Sequence, residues 1–361
     1  MGSNVRYTVK KIGFIRLLPI GSLVILSAFL TLKYADLAVE GVKRGIDLCL
    51  GTIIPSLFVF MVIAEFLSQT DLAEIMFFPL RFLSWLFRVP GETVSVFALS
   101  ILGGYPTGAQ MIANLVKSKK ISPKLGEILL CSSVNCSPSF LIGAVGIALF
   151  NNIKIGMIMY LCQVLSAIIV GIIAGIFGRE KGEDYTWHHE FSKDEEISYS
   201  QIFVNSVLSA SKALFSICCF VLLFSVIFVF IKELTMLNFI AGLLEVSVGC
   251  ASLYGINFRW ALILSSIYTS FGGACILIQI KCFLQKSNVK MKKFILFRLL
   301  HVALSSGFAF FAIRNLDITE VFATTDKVTV TSGSPSYVTS AFLILLCVML
   351  LISKKSYDIM N

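Results

Sequence analysis

Long apolar runs recur along the chain from Phe14 to Ile352, and the charged residues concentrate in the short segments between them. A helix needs roughly 20 apolar residues to cross the hydrocarbon core, whereas a strand of a membrane barrel shows only about 10 residues of alternating polarity. The runs in this chain are long and continuous. The pattern therefore predicts an all-α polytopic membrane protein.

The predicted runs group into five parts. These are an N-terminal transmembrane helix (1–40), a first membrane half (41–178), an acidic polar linker (179–200), a second membrane half (201–314), and a polar loop with a C-terminal transmembrane helix (315–361). The apolar runs are Phe14–Ala35, Ile46–Leu67, Ile75–Val89, Thr93–Val116, Leu125–Phe150, Ile153–Phe177, Ala213–Ile231, Leu237–Leu253, Phe258–Ile280, Phe294–Ile313 and Tyr337–Ile352. One of them, Ile75–Val89, mixes aromatic residues with two arginines, which is typical of a helix at the membrane interface.

Composition supports the membrane interpretation and narrows the chemistry. The chain is 57% hydrophobic and 14% charged, against roughly 25% charged for an average soluble domain. Its net charge of +9 gathers in two turns, Lys117–Lys124 and Lys281–Lys293. Such turns are typical of cytoplasmic loops, so we expect no nucleic-acid binding. Ten scattered cysteines and three histidines predict no metal site, no cofactor and no disulfide framework.

A glycine-rich motif interrupts the run Thr93–Val116. Three glycines and a proline within Gly103–Gly108 cannot form a stable helix interior. In lipid, an unwound backbone is tolerated only inside protein or beside a water cavity, and the break exposes a helix N-terminus that attracts anions. The alternative is a glycine-mediated helix contact. The candidate binding residues here are Gly104, Tyr105, Pro106, Thr107 and Gly108.

A second polar tract, Ser132–Ser139, interrupts the run Leu125–Phe150. Pro138 removes a backbone donor, and the surrounding hydroxyl and amide groups can either bind a ligand or satisfy the freed backbone. The candidate binding residues are Ser133, Asn135 and Ser137. The alternative is a serine-lined kink, which is common in membrane helices.

The second half contains a similar polar and glycine-containing tract and two buried-looking basic residues. The candidate binding residues are Ser270, Gly272, Gly273, Gln279 and Arg298. An arginine within an apolar segment is costly, and its fork of donors suits an anion. Alternatively, Arg298 snorkels toward the nearby lysine turn. We expect His301 to hydrogen-bond a neighbour, while Glu245 either carries protons or lies at a membrane surface.

The two halves look related. Each places an apolar segment with a central glycine motif before a lysine-rich turn, at an offset of about 165 residues, and such repeats are common in secondary transporters. Strictly inverted repeats would place the two lysine turns on opposite faces of the membrane. The positive-inside rule favours the same face. The sequence leaves this conflict open.

These motifs resemble those of the YlbJ-type sporulation integral membrane proteins, within the wider nucleoside-recognition or Gate-domain group. The resemblance rests on the stretch Gly104–Ala109, the Ser133–Pro138 tract with the following Phe140–Gly146, Phe271–Gly273 with Gln279, and Arg298–His301. It implies broken or re-entrant helices in an architecture like that of concentrative nucleoside transporters. It also implies a membrane protein of a spore-forming bacterium, located in the cell membrane or the outer forespore membrane.

The functional hypotheses follow from this resemblance and from the polar breaks. The first is a carrier or channel for a small organic anion during endospore formation, with dipicolinic acid as the cargo that the resemblance implies. The alternatives are a nucleoside-type transporter and a non-transporting scaffold that contacts other sporulation membrane proteins. An enzyme is not expected, because the apolar segments contain a single histidine, His301, and no evident pair of aspartates.

Overall fold

The computed structural model describes residues 14–70, 72–182, 185–187, 198–235 and 240–314, and this part of the chain forms helices and turns. The predicted C-terminal span and the loop before it lie outside the described residues. The α-helices are α1 Phe14–Lys33, α2 Ala35–Leu48, α3 Ile54–Ser68, α4 Leu72–Met76, α5 Phe82–Phe87, α6 Val94–Gly103, α7 Tyr105–Lys117, α8 Pro123–Ser132, α9 Ile153–Phe177, α10 Tyr199–Thr235, α11 Ile240–Leu244, α12 Val246–Ala251, α13 Phe258–Phe271, α14 Gly273–Leu284 and α15 Lys292–Arg314. Two π-helices, Cys49–Ile53 and Phe140–Leu149, join or extend them.

Several of these helices are long and apolar enough to cross a membrane. Among the described residues they are Ala35–Ser68, Ile153–Phe177, Tyr199–Phe230, Phe258–Leu284 and Lys292–Ala312. A further pair, Phe78–Phe87 and Gly91–Gly103, is bent by 110° and forms a broken span or a re-entrant loop. The prediction of an all-α, multi-pass integral membrane protein with broken helices is confirmed.

The predicted interfacial run Ile75–Val89 consists of short helical pieces. Arg88 adopts the left-handed conformation (φ 54°) and ends α5, and Pro90 prevents the helix from continuing. The side chains of Ile75, Phe78 and Trp85 are exposed. Large apolar side chains on this outer surface suit contact with lipid.

Helices α6 and α7 form a hairpin that turns at Gly104. Residues eight apart in a straight helix are separated by about 12 Å. Here a Cβ built on Gly108 would lie 2.9 Å from the Cβ of Ser100, so the chain has reversed direction. Gly104 makes the turn with φ 86° and ψ −173°, a conformation that a residue with a side chain rarely adopts. Just before this hairpin, Nη1 of Arg179 donates a hydrogen bond to the carbonyl oxygen of Arg88 (3.0 Å).

Helices α11 and α12 form a second hairpin. A Cβ built on Gly249 would lie 2.1 Å from the Cα of Gly242, and Glu245 between the helices has an extended backbone (φ −144°, ψ 127°). The apolar run Leu237–Leu253 is therefore no continuous helix over its described part, from residue 240 onward. Glycine at positions 242 and 249 lets the two short helices of this hairpin pack closely against each other.

Two further spans are broken at their centres. Helix α8 ends at Ser132, residues 134–137 are not helical, and helical structure resumes at Pro138. In the second half, Gly272 and Gly273 both have positive φ (85° and 75°) between α13 and α14. Both breaks lie at the glycine or serine–proline motifs that the sequence singled out.

The two halves run in opposite directions. Near the end of α9, the Lys293 amine donates to the carbonyl of Gly178 (2.8 Å), and farther along α15 the His301 ring contacts the carbonyl of Gln163 (3.2 Å). The contact points therefore move forward along α15 and backward along α9, and these helices are antiparallel. Each half contains a hairpin, a broken span and an unbroken span, so the halves form an inverted repeat.

Both lysine turns nevertheless lie on one face, which we call the Lys face. A Cβ built on Gly126, just after the first turn, would lie 3.0 Å from Val289 in the second turn. The reason is that the turns occupy different positions in the repeat. The first precedes a broken span and the second follows one. The repeat pairs the Gly104 turn with Glu245, so the predicted offset of about 165 residues is wrong.

The helix Ala35–Ser68 and α10 pack closely beside this repeat. A Cβ built on Gly41 would lie 2.6 Å from the Cα of Val226, and one on Gly45 would lie 3.0 Å from the Cα of Leu222. These contacts again run in opposite directions along the two helices. Glycines let the backbones approach, which is the usual basis of tight packing in membranes.

Candidate functional site

A small cavity lies where the breaks meet. The space open to the centres of water-sized molecules is about 40 Å³, enough for a few ordered waters. Both hairpin turns and the first broken span line it, together with apolar side chains from α3, α10 and α14. The predicted binding residues that line it are Gly104, Tyr105, Pro106 and Ser137.

Four helices begin around this cavity. The helical segment that begins at Pro138 and continues as the π-helix Phe140–Leu149 is capped by Ser137, whose Oγ accepts a hydrogen bond from the Phe140 amide (3.3 Å). Helix α12 is capped by Glu245. Helices α7 and α14 start after Gly104 and Gly272, which offer no side-chain cap. The positive ends of several helix dipoles are thus directed at one place.

The first hairpin is fixed by its own turn residues. The Tyr105 hydroxyl donates to the carbonyl of Thr269 in the other half. Gly108 packs against the first broken span so closely that a Cβ would lie 1.7 Å from the Ser133 oxygen. The Thr107 hydroxyl lies 2.4 Å from the position that a Cβ on Gly103 would occupy. At Gly103 and Gly108, therefore, the glycines serve close packing of the helices, as the alternative of a glycine-mediated helix contact predicts.

The polar residues of the first broken span mostly satisfy the backbone. Asn135 donates from Nδ2 to the Ser132 carbonyl (2.7 Å) and lies 3.3 Å from the Ser100 hydroxyl. The Cys136 amide donates to the side-chain oxygen of Gln163 (3.3 Å). The Ser133 hydroxyl is buried and makes no hydrogen bond within the described residues.

The second broken span holds its predicted residues beside the cavity rather than in its wall. Gly273 faces the second hairpin, and a Cβ there would lie 2.9 Å from the Leu244 oxygen. Gln279 is farther along α14, where its Nε2 contacts the sulfur of Cys275 (3.3 Å). The buried Ser270 hydroxyl makes no hydrogen bond within the described residues.

Arg298 joins the two broken spans. Its Nη1 donates to the carbonyl of Val134 (2.5 Å) and its Nε donates to the carbonyl of Phe271 (3.1 Å). The residue is 2% exposed, so the alternative in which it snorkels toward the Lys face is wrong. Its Nη2 makes no hydrogen bond within the described residues. The guanidinium lies 5.6 Å from the ring centre of Tyr105, a residue that lines the cavity.

His301 lies one turn after Arg298 on α15. Its Nε2 contacts the carbonyl of Gln163 (3.2 Å), which confirms the expected hydrogen bond to a neighbour. Both residues are buried. The end of the first half and the end of the second are thus tied together at the depth of the breaks.

Glu245 is the cavity residue that the sequence-based binding list misses. It is 2% exposed, and its carboxylate accepts from the Val248 amide (2.7 Å). The signal available in the sequence was a carboxylate inside an apolar run, which is usually functional in a membrane. The sequence contains no glycine or proline at this point to mark a helix break, so its position at a hairpin turn was not apparent.

A larger cavity connects this region to the face opposite the Lys face. Its volume, measured in the same way, is about 330 Å³. It reaches Leu149 and Tyr254, which lie beside the turns on that opposite face, and we call it the vestibule. Phe140 and Ser247 line both the vestibule and the central cavity, so they form the boundary between the two.

The Lys face carries an ion-pair network instead. Glu180, just after α9, accepts from Lys124 of the first half (2.6 Å) and from Lys293 of the second half (2.7 Å). These two hydrogen bonds lower the pKa of Glu180 to about 2. Lys293 also lies 3.5 Å from Glu127. The network fastens both halves together on this face.

Comparison with known proteins supports the resemblance drawn from the motifs. The chain is 24% identical over 326 aligned residues to the sporulation integral membrane protein YlbJ of Bacillus subtilis (strain 168), an alignment that covers 78% of this chain and 80% of that protein. The prediction of a YlbJ-type protein is confirmed at this modest identity. No protein-family model matches the chain, and no solved structure matches it. The implied Gate-domain architecture stays a prediction.

Proposed function

We propose that this chain, which resembles the sporulation integral membrane protein YlbJ, is a transporter that moves a small organic anion through the central cavity during endospore formation. The observation that carries the proposal is the meeting of four broken or hairpin helices between two inverted halves. Secondary transporters build their substrate sites in this way, with helix ends directed at the midplane. The protein would act in the cell membrane or the outer forespore membrane.

An anion is supported by the charges around the cavity. Helices α7 and α14 present N-termini without side-chain caps, and such ends favour negative groups. Arg298 adds a buried positive charge behind Tyr105, with one donor atom uncommitted. Dipicolinic acid, the cargo that the resemblance implies, carries two carboxylates that match these groups.

The cavity sizes indicate how such a cargo would enter. Sites for small molecules usually enclose roughly 300–1,000 Å³. The vestibule has a suitable volume, whereas the central cavity does not. Transport of dipicolinate therefore requires the hairpin turns at Gly104 and Glu245 to separate. That separation must break the hydrogen bond from Tyr105 to Thr269, which holds the first turn.

A nucleoside-type cargo is the second candidate, and Glu245 favours it. A carboxylate in the cavity wall accepts hydrogen bonds, so it suits a ligand with hydroxyl or amine donors. The two candidate cargoes predict opposite effects of the Glu245 charge on binding. Removing its charge should improve binding of a dianion and weaken binding of a nucleoside.

The test is uptake into proteoliposomes that contain the purified full chain. We expect labelled dipicolinate to accumulate, to be displaced by unlabelled dipicolinate, and to resist competition by nucleosides. Ser137→Ala, in the cavity wall, should raise the apparent KM. Ser166→Ala is the matched control, because Ser166 is also buried but its hydroxyl bonds to the carbonyl of Cys162 within α9.

Two results would argue against the proposal. Well-folded protein that takes up neither dipicolinate nor nucleoside would leave the scaffold alternative standing. That alternative also predicts that cavity variants support spore formation as well as the unaltered chain does. Uptake that Ser137→Ala and Gly104→Ala both leave unchanged would place the pathway elsewhere in the molecule.

A further inference from the structure

Glu245 is a buried carboxylate without a positive partner. It lies at the turn of the second hairpin, lines the central cavity and is 2% exposed. Within the described residues it forms no ion pair. The titratable side chains near it are Tyr105 and Cys136 in the same cavity wall, together with the thiols of Cys49 beside α2, Cys250 on its own hairpin and Cys275 on α14. None of them supplies a positive charge.

Arg298 does not neutralise it. The guanidinium is engaged by the carbonyls of Val134 and Phe271 and makes no ion pair with Glu245. An ionised carboxylate without a counterion is costly in a low-dielectric interior, so burial favours protonation. Both features make the neutral form of Glu245 accessible inside the membrane.

The ionised form is also accommodated. The carboxylate accepts a hydrogen bond from the Val248 amide (2.7 Å) and so caps the start of α12. Hydrogen bonds of this kind stabilise the charged form. The surroundings thus oppose and support ionisation at once. A group in that position can exchange a proton as its surroundings change.

The cavity is better suited to a proton than to a metal cation. Hard cations such as Mg²⁺ and Ca²⁺ take about six to eight oxygen ligands. The wall offers side-chain oxygens from Tyr105, Ser137, Ser247 and Glu245, and much of the remainder is aliphatic or aromatic, including Ile53, Leu57 and Phe140. No cluster of metal-binding side chains occurs in the part of the chain that the structure describes.

We propose that Glu245 binds and releases the proton that accompanies the transported anion. The carboxylate takes up one proton from the vestibule side, becomes a neutral carboxylic acid, and returns the proton on the other side of the membrane. No bond in the cargo changes. Because like charges repel, an anion in the cavity raises the proton affinity of Glu245, and a protonated Glu245 raises the affinity for the anion to the same extent.

This inference rests on the proposed function, and its first test separates the two. Proteoliposomes with an internal pH-sensitive dye are given dipicolinate outside, with the membrane potential held at zero. We expect the interior to acidify during uptake, and accumulation to change by about tenfold for each unit of pH gradient if one proton moves per anion. Uptake without proton movement would overturn the coupling and leave the transport proposal intact.

Glu245→Gln provides the matched variant. The glutamine oxygen can still accept from the Val248 amide, but the side chain no longer titrates. We expect this variant to exchange labelled for unlabelled dipicolinate while losing accumulation driven by a pH gradient. Glu65→Gln is the control, because Glu65 lies near the end of α3 and contacts Gln69 instead of the cavity. It should behave like the unaltered chain.

A second measurement does not depend on transport. Infrared difference spectra of the reconstituted protein between high and low pH report carboxylic acid groups as they gain protons. We expect a carbonyl band of a buried acid that Glu245→Gln removes and Glu65→Gln retains. If both variants show the same spectrum as the unaltered chain, Glu245 does not exchange a proton and the inference fails, whatever the uptake assay shows.

Discussion

Replacing Gly108 by alanine tests the packing of the first hairpin on the first broken span. The added Cβ would lie 1.7 Å from the Ser133 oxygen, 2.8 Å from the Ser133 carbonyl carbon and 2.9 Å from the Cβ of Ser100. Two of these three atoms belong to the backbone, so no flexible side chain can move aside. The hairpin must instead shift away from the broken span by more than an ångström to restore normal contact.

The loss of folding stability can be estimated from that shift. Overpacking usually costs about 1–3 kcal/mol, and contact with backbone atoms points to the upper end of this range. Movement of α7 also strains the hydrogen bond from Tyr105 to Thr269, worth roughly 1 kcal/mol. For a chain of 361 residues, with an unfolding entropy of about 2.1 cal/mol/K per residue, a loss of 3–4 kcal/mol corresponds to a fall in Tm of roughly 4–5 °C.

The assay is thermal unfolding of the purified protein in detergent, followed with a thiol-reactive fluorescent dye. The dye reports unfolding because Cys131, Cys136 and Cys162 are buried. Gly143→Ala is the control, since a Cβ at Gly143 meets nothing within 4 Å. Equal Tm values for Gly108→Ala and Gly143→Ala would refute the close contact and the hairpin geometry built on it.

Three further predictions concern other parts of the molecule. Tyr105→Phe removes the hydroxyl bonded to Thr269, and we expect a Tm lowered by about 1–2 °C, checked by the same dye assay. The pKa of Glu180 is lowered from 4.5 to about 2, so its contribution to stability is present above pH 4.5 and is lost as the pH falls toward 2. Glu180→Gln should therefore flatten the pH dependence of Tm between these pH values. A slope equal to that of the unaltered chain would contradict this prediction. In variants that retain one cysteine, exposed Cys282 near the end of α14 should react with a water-soluble thiol reagent faster than buried Cys162 does, as mass spectrometry of timed samples would show.

The breaks could be predicted from the sequence because their causes are local. Glycine and proline at Gly104–Pro106 cannot continue a helix, and the same holds for Pro138 and for the paired glycines at Gly272. The break at Glu245 contains neither residue type. It depends on packing of Gly242 against Gly249 and on an extended backbone at one position, which only the folded chain reveals.

The partners of Arg298 could not be predicted for a related reason. The arginine lies 164 positions from Val134 and 27 from Phe271. Its location near a lysine turn made snorkelling a reasonable alternative, because sequence distance to the turn was the available measure. The carbonyls that hold it become free only when two spans break at the same depth. The direction of the helices, and so the inversion of the halves, is likewise a property of the tertiary structure.

In the proposed transport, the inverted repeat relates the vestibule to an equivalent pair of helices on the Lys face. The vestibule lies between the π-helix Phe140–Leu149 of the first half and α12 of the second. Exchanging the halves maps this pair onto α14 and α7, which pack against each other toward the Lys face. The path is thus open beside one pair of equivalent elements and closed beside the other. In the proposed transport, passage to the Lys face requires α7 and α14 to separate, whereas the bonds from Glu180 to Lys124 and Lys293 join the starts of α8 and α15 on that face.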